Sequence, residues 1–374
     1  MREYVVPGRV ELVGKHVDYA GGRSLTCAIE AAIHARVTPL AEPELRVRDS
    51  ARREGVAVLL SPSARQHGAG WTTYVVAVAR RIARDFPRAR TGVEIELRSD
   101  LPASAGLSSS SALVVALAGA LVDANDLEGY ATWRAAVPDS VARAEYFGAI
   151  ETGASFGPFA GDDGVGVRGG AQDHVAIVCA EAGMTGQFHY LPARLERRVP
   201  WPDDHALVIG VSGVHATKTG NARSAYNRLS DALLPLAQGR TIEAPGPETA
   251  ERLAQFREET DVIVPGVADA LRDRQFGALG ALVDRSQALA ERVLGNQVPE
   301  TVFLARSARD SGAIAATAFG AGFGGAVWAM VPRTDAATFT GLWRAAYERQ
   351  FPARRAHAKW LVTRPSGPAR VTAS

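Results

Sequence analysis

Residues 101–112 read LPASAGLSSSSA. Before them, Val93–Arg98 (VEIELR) alternates strictly, with Val93, Ile95 and Leu97 on one side and Glu94, Glu96 and Arg98 on the other, which predicts a half-buried strand. After them, Ser111–Val122 is Ala-rich and apolar all round, which predicts a buried helix. A strand entering a helix through small residues lets backbone N–H groups approach an anion closely, and the helix N-terminus adds unpaired donors. The serine hydroxyls can add hydrogen bonds or ligate Mg²⁺. The same residues also suit a plain run of Ser caps before a buried helix. No Gly-Lys-Ser/Thr follows, so this is not a Walker A loop.

Three other segments hold polar groups in apolar surroundings. Val6–Ala28 (VPGRVELVGKHVDYAGGRSLTCA) sets Arg9, Glu11, Lys15, His16 and Asp18 before a Gly-Gly pair. A His-x-Asp pair beside a tight turn can bind sugar hydroxyls, or can be a solvated loop. Gly169–Val175 (GGAQDHV) offers Asp173 as a general base or as a helix cap. Phe319–Gly325 (FGAGFGG) is a glycine turn before a buried strand, able to approach a ligand or simply to turn the chain.

Composition narrows the classes. The chain has 374 residues, which suits two domains rather than one. It is 47% hydrophobic and 22% charged, as a globular protein is, and a net charge of +2 gives no reason to expect a nucleic-acid or membrane partner. Two cysteines, Cys27 and Cys179, rule out a disulfide framework and fit a reducing cytoplasm. Met1–Val10 carries no apolar h-region, so no secretory signal is expected, and no apolar window is long enough to cross a membrane as a helix. The only lysines are Lys15, Lys218 and Lys359.

The pattern predicts further strands at Ala28–Leu40, Leu45–Arg48, Val56–Leu59 and His205–Val211, and helices at Trp71–Arg84 and Val137–Tyr146. Glu151–Gly170 reads as a mobile Gly-rich loop, and Leu191–Asp204, with three prolines, as the domain boundary. Helices dominate the second half, from Ala222–Leu236 to Thr301–Ser311, before a strand at Ala326–Val331.

Taken together and in this order, the segments resemble the GHMP kinases, and among them the galactokinases. Pro7-Gly8-Arg9 with Gly14-Lys15-His16-Val17-Asp18-Tyr19 is similar to the galactokinase signature PGRVNLIGEHTDY. Residues 101–110 resemble the family's phosphate loop P-x-G-x-G-L-S-S-S, Gly170–His174 its G-x-x-D-Q/H segment, and Phe319–Gly325 its closing T-G-A-G-F-G-G. Trp71–Val78, Ser224–Arg228 and Val298-Pro299-Glu300 are weaker echoes, so the resemblance covers nearly the whole chain.

The resemblance implies an α+β, two-domain GHMP kinase fold: residues 1–200 like ribosomal protein S5 domain 2, residues 201–374 as the C-terminal domain, and the site in the cleft between them. It implies transfer of the γ-phosphoryl group of ATP, with Mg²⁺, to a sugar hydroxyl, in galactokinases the anomeric O1. Asp173 would then be the base, with Arg9 beside it holding it ionised. Pro102, Ser104, Ala105, Gly106, Leu107, Ser108, Ser109 and Ser110 would wrap the phosphates. Ser110 and Glu145 would hold Mg²⁺. Lys15, His16, Asp18, Gly170 and Tyr226 would meet the sugar. Expected partners are the sugar and ATP, with no nucleic acid and no membrane, for a monomer or small homo-oligomer in the cytoplasm. The other readings are a GHMP kinase acting on a non-anomeric hydroxyl or a non-sugar alcohol, and a sugar sensor that has lost catalysis.

Departures from the family pattern are equally specific. Lys15 stands where galactokinases have a Glu near the sugar's C6 hydroxyl; a cation there favours a negatively charged group, a uronic acid for example, unless it turns away to pair with an acid. Ser104 replaces a glycine of the phosphate loop. Glu145 and Asp173 are 28 positions apart, more than the family pattern has, which marks residues 151–170 as an insertion and leaves Glu151 as the alternative metal ligand. Lys218 lies in a lengthened segment and could reach the cleft.

Overall fold

Strand β1 (Arg2–Val13) and the long β2 (Arg23–Leu40) form the spine of the molecule, paired antiparallel from Arg2↔Val37 to Val13↔Leu25. The structure, a computed structural model, describes residues 2–51, 54–65, 70–102, 105–167, 169–214 and 227–373. β2 is long enough to carry β5 (Gly92–Ser99) along its second half and β6 (Met184–His189) along its first, both antiparallel. β3 (Glu44–Asp49) adds to β5 in parallel, β4 (Glu54–Leu59) pairs β3, and β7 (Arg194–Pro200) pairs β6. β7 falls inside the stretch that reads as a linker.

A second sheet is built by β8 (His205–Val211), β9 (Ala315–Ala318), β10 (Ala326–Pro332) and β11 (Lys359–Thr363), in the order β11-β8-β10-β9. The chain then crosses back. β12 (Pro365–Ser366) pairs β2, and β13 (Arg370–Ala373) runs antiparallel along β1 with Arg2 opposite Ala373. Trp328, buried in β10, donates from its indole nitrogen to Leu12 O in β1 at 3.2 Å and so stitches the two sheets together. Among the described residues, no helix is long and apolar enough to cross a membrane.

Helix α2 (Ser109–Ala124) is buried along almost its whole length. Its apolar, Ala-rich sequence allows this, because no face demands water and small side chains permit close packing on β1, β2 and the helix α1 (Thr72–Asp85). α3 (Ala131–Ala136) is short. α4 (Ser140–Thr152) starts three residues later than the pattern predicts and runs further: Pro138 blocks an earlier start, and Asp139 caps it by accepting from Ala142 N at 2.8 Å. α5 (Gln172–Val178) follows the inserted segment. The helix expected from Ala222 falls partly outside the described residues, as do Lys218, Tyr226 and Ser104.

The described part of 151–170 is fastened down, contrary to the mobile loop the Gly content predicts. Three arginines of α1 grip it. Arg80 Nε donates to Asp162 Oδ2 at 3.1 Å, Arg81 Nη1 to Ala154 O at 2.9 Å and Arg84 Nη1 to Gly161 O at 3.1 Å. Arg81 is fully buried and also binds Asp85 at 2.6 Å. Phe159 packs within an aromatic cluster, 5.2 Å from the Phe86 ring and 5.5 Å from Tyr146. Gly164 has φ +51°, and a Cβ there would stand 2.4 Å from Gly153 N, so the hairpin can close only with glycine. Glycine here serves tight packing rather than freedom of movement.

Arg81→Ala should therefore cost about 3 kcal/mol in a urea titration, by leaving Asp85 and the loop carbonyls without their buried partner. It should also open the segment to chymotrypsin at Phe156 and Phe159, where the parent chain should resist cleavage. Equal cleavage of both proteins would show that α1 does not hold the segment.

Candidate active site

Arg9 lies on β1 with its side chain buried, and it makes two short bonds in different directions. Nε donates to Asp173 Oδ1 at 2.7 Å, and Nη1 donates to Gly106 O at 2.6 Å. Its own backbone N–H donates to Leu107 O at 3.3 Å. Phe319, the first residue of the glycine turn, lies with its ring centroid 5.9 Å from the guanidinium carbon. One side chain thus holds together the expected base, the 101–112 loop and the closing turn.

These groups open on a cleft of about 560 Å³, the size of a small-molecule site. Gly106, Ser108, Ser109 and Ser110 line it, whereas Ala105 and Leu107 are buried packing residues and Pro102 is outside the lining. Ser108 takes a left-handed backbone (φ +59°) at the start of α2 and makes no capping bond, so the plain Ser-cap reading does not describe it. Its Oγ is buried with no protein hydrogen-bond partner. A buried hydroxyl left in that state fits a loop built around an absent polar ligand.

Opposite the serines, Ser111 Oγ donates to Glu151 Oε2 at 2.9 Å and lies 3.5 Å from Asp173 Oδ2. Glu151 is buried, and its Oε2 also lies 3.1 Å from His174 Nε2. Among the described residues no cluster of three His, Cys, Asp or Glu could hold a metal ion by itself. The fit is to a hard cation shared with a ligand: the Ser110 hydroxyl and the Glu151 carboxylate both border the cleft and both offer oxygen.

Glu145 does not belong to this group. Its carboxylate accepts from Ala193 N at 2.7 Å on the far side of α4, outside the cleft lining. α4 runs on to Thr152, and the acid that faces the serines, Glu151, comes six positions after Glu145.

Lys15 is a second correction. Its side chain is buried and turned away from the cleft, with Nζ donating to Ser286 Oγ at 2.6 Å. Ser286 donates on to Glu259 Oε1 at 2.7 Å, which also accepts from Gly14 N at 2.8 Å. Burial lowers the Lys15 pKa, against the pull of Glu259 and Glu11. Its Nζ meets Ser286 rather than the cleft, and the charges it feels are those of Glu259 and Glu11.

The remaining expected sugar contacts do border the cleft. Asp18 Oδ2 accepts from Gln172 N at 3.4 Å, and a Cβ on Gly170 would stand 2.4 Å from that same oxygen, so only glycine lets the segment approach. His16 (φ +57°) lines the cleft with both ring nitrogens engaged: Nδ1 is 3.2 Å from Tyr19 OH, and Nε2 is 3.2 Å from Ala321 O. It also ties the signature turn to the glycine turn, which itself needs positive φ at Gly320, Gly322 and Gly324. Glu11 and Gln172 line the cleft as well, although no motif assigns either of them a role. Their signal was available: two charges two apart in an apolar strand, Arg9 and Glu11, must face the same side.

Known proteins match along the same lines. The models of the GHMP kinases N terminal domain, the galactokinase galactose-binding signature and the GHMP kinases C terminal region match residues 73–146, 3–39 and 267–348. The chain is 28% identical over 343 residues to a galactokinase of Mycobacterium bovis, covering 88% of each, and 27% identical over 371 residues to one of Lacticaseibacillus casei, covering 90% of this chain and 87% of that protein. Its fold is similar to that of Lactococcus lactis galactokinase complexed with galactose, with a TM-score of 0.83 at 18% identity over 99% of this chain and 94% of that one. It is also similar to that of Methanococcus jannaschii mevalonate kinase, with a TM-score of 0.64 at 14% identity over 97% and 98%. With sequence models matching both halves, and Asp173, the 101–112 loop and the glycine turn joined by one arginine, the chain belongs to the GHMP kinase family, on its galactokinase-like branch of ATP-dependent sugar kinases.

Proposed function

We propose that this enzyme transfers the γ-phosphoryl group of ATP to the anomeric hydroxyl of a neutral, galactose-like monosaccharide, giving a sugar 1-phosphate and ADP. The observation that carries this reading is the double grip of Arg9, on Asp173 Oδ1 at 2.7 Å and on Gly106 O at 2.6 Å. Phosphoryl transfer asks a protein for little covalent chemistry; it needs an attacking oxygen, a phosphorus and a leaving oxygen held in line. Asp173 would take the proton of O1 as that oxygen attacks Pγ and the Pγ–O bond to ADP breaks. The amides at the start of α2 and the Ser108–Ser110 hydroxyls would hold the phosphate oxygens. Asp18, beside Gly170, would orient the sugar.

The electrostatics support a cation as part of this site. Besides Glu11, the described lining carries four carboxylates, Asp18, Asp49, Glu151 and Asp173, and Arg9 is its one arginine or lysine. A triphosphate cannot sit among these acids without positive charge between them. Ser110 and Glu151 are the residues that would hold Mg²⁺, which would supply the positive charge that offsets the charge developing during transfer. The same surplus of acids, with Lys15 turned away, favours a neutral sugar over a uronic acid. Two buried free thiols, Cys27 and Cys179, support a reducing compartment, for which we take the cytoplasm.

ADP release should be stimulated by galactose or a close neutral epimer and not by galacturonate or glucuronate, and ³¹P NMR of the product should put the phosphate on O1. Turnover of a uronate alone would reverse the choice of substrate class. Asp173→Asn should lower kcat by roughly 10²- to 10⁴-fold; near-normal turnover would remove the base. Glu151→Gln should lose Mg²⁺-dependent turnover by roughly 10²-fold or more, whereas Glu145→Gln should stay within about twofold of the parent. The opposite ranking would return the metal to Glu145.

A further inference from the structure

Behind the Arg9–Asp173 pair lies a buried polar chain that phosphoryl transfer does not by itself require. Glu11, two residues along β1 from Arg9, is 3% exposed. Its Oε2 accepts from Gln172 Nε2 at 2.5 Å, and its Oε1 has no hydrogen-bond partner. Gln172 is the first residue of α5, and Asp173 is the second. On the other side, Lys15 leaves the end of the same strand and reaches Ser286 and Glu259, on helical turns of the second half of the chain. The galactokinase signature has Asn and Glu at the positions of Glu11 and Lys15, so in this chain the acid sits on the strand and a base sits on the turn.

We propose that Glu11 is a positioning residue for the base: anchored on β1, it holds Gln172 and so fixes the first turn of α5, while Lys15 is the buried counter-charge that ties this strand end to Ser286 and Glu259. The inference rests on the kinase reading above and assigns the pair a role inside it. A carboxyl in that position competes with Asp173 for the Arg9 field, so its proton matters. Burial pushes Glu11 from 4.5 up to about 8, against Lys15, Arg9 and the Gln172 amide, which pull down, and with Glu259, which adds to the rise. The other groups that feel its charge are the phenols of Tyr19 and Tyr190, both pushed up first by burial. Across β2 it faces Thr26, which carries no charge. Near neutrality Glu11 keeps its proton and Asp173 has Arg9 to itself. As pH rises through about 8 a second anion appears beside the same guanidinium.

The sign for stability follows. The folded chain holds a proton that the unfolded chain releases near 4.5, so this contribution is complete below that pH and is lost as pH rises to about 8. Gln cannot ionise. The Tm of Glu11→Gln should therefore gain steadily on the parent between those two values and run parallel to it above them. In ADP-release assays, kcat of the parent should fall as pH rises through about 8, and Glu11→Gln should remove that fall. Glu11→Ala, which drops the Gln172 bond, should lose ~10- to 100-fold in kcat at neutral pH with KM for ATP within about twofold, and Gln at the same position should recover most of the loss. Parallel Tm curves across the whole range overturn the proposal, as does an unchanged alkaline limb or an Ala variant with parental kcat. A parent chain that releases no ADP with any sugar refutes the kinase reading instead, and the Tm comparison then decides on Glu11 alone.

Discussion

A single buried guanidinium holds this molecule's site together. Arg9 is buried and finds acceptors for its donors inside the protein, in segments far apart in the chain: a carboxylate at the start of α5 and a carbonyl in the loop before α2. The cost of an unpaired buried charge turns that need into a constraint on geometry. If either segment drifted, Arg9 would lose a partner. The fold therefore fixes the distance between Asp173 and the loop before α2 with the energy of burial.

The surrounding architecture makes this possible. β1 carries Arg9 and Glu11 on one face because side chains alternate along a strand, and β2 backs it over its full length. α2 is buried and apolar, so its first turn cannot swing out to solvent. On the far side, the arginines of α1 hold the insertion so that Glu151 emerges at the end of α4 facing Ser111. Four cations serve as interior scaffolding: Arg9, Arg81, Lys15 and Arg252 are all nearly or fully buried.

Much of this was legible in the sequence, and the exceptions share a cause. The alternation of Val93–Arg98 and the apolar run after Ser111 give β5 and α2 to within a residue or two, because local period decides them. Asp173, Arg9, Gly106 and the serine run could be picked out by motif, since their chemistry is written in residue type and order. Glu145 and Lys15 could not be placed that way. Whether an acid on a helix faces a cleft depends on where the helix ends, and α4 ends seven residues beyond Glu145. Whether a lysine meets a ligand depends on which acids lie behind it; Glu259 and Ser286 are more than 240 positions away, and no local signal links them to residue 15. The insertion misleads for a related reason. Its glycines look like freedom until the arginines that fasten them come from another helix.

The return of β12 and β13 to the first sheet has a consequence for biosynthesis. When the ribosome has delivered every residue of the cleft, the start of β1 still presents unpaired amides and carbonyls, because the strand that covers it is made after all of them. An open, apolar strand edge is a template for association with a neighbouring chain. The nascent protein thus passes through an interval in which the residues of its site are all made but its largest sheet is unsealed.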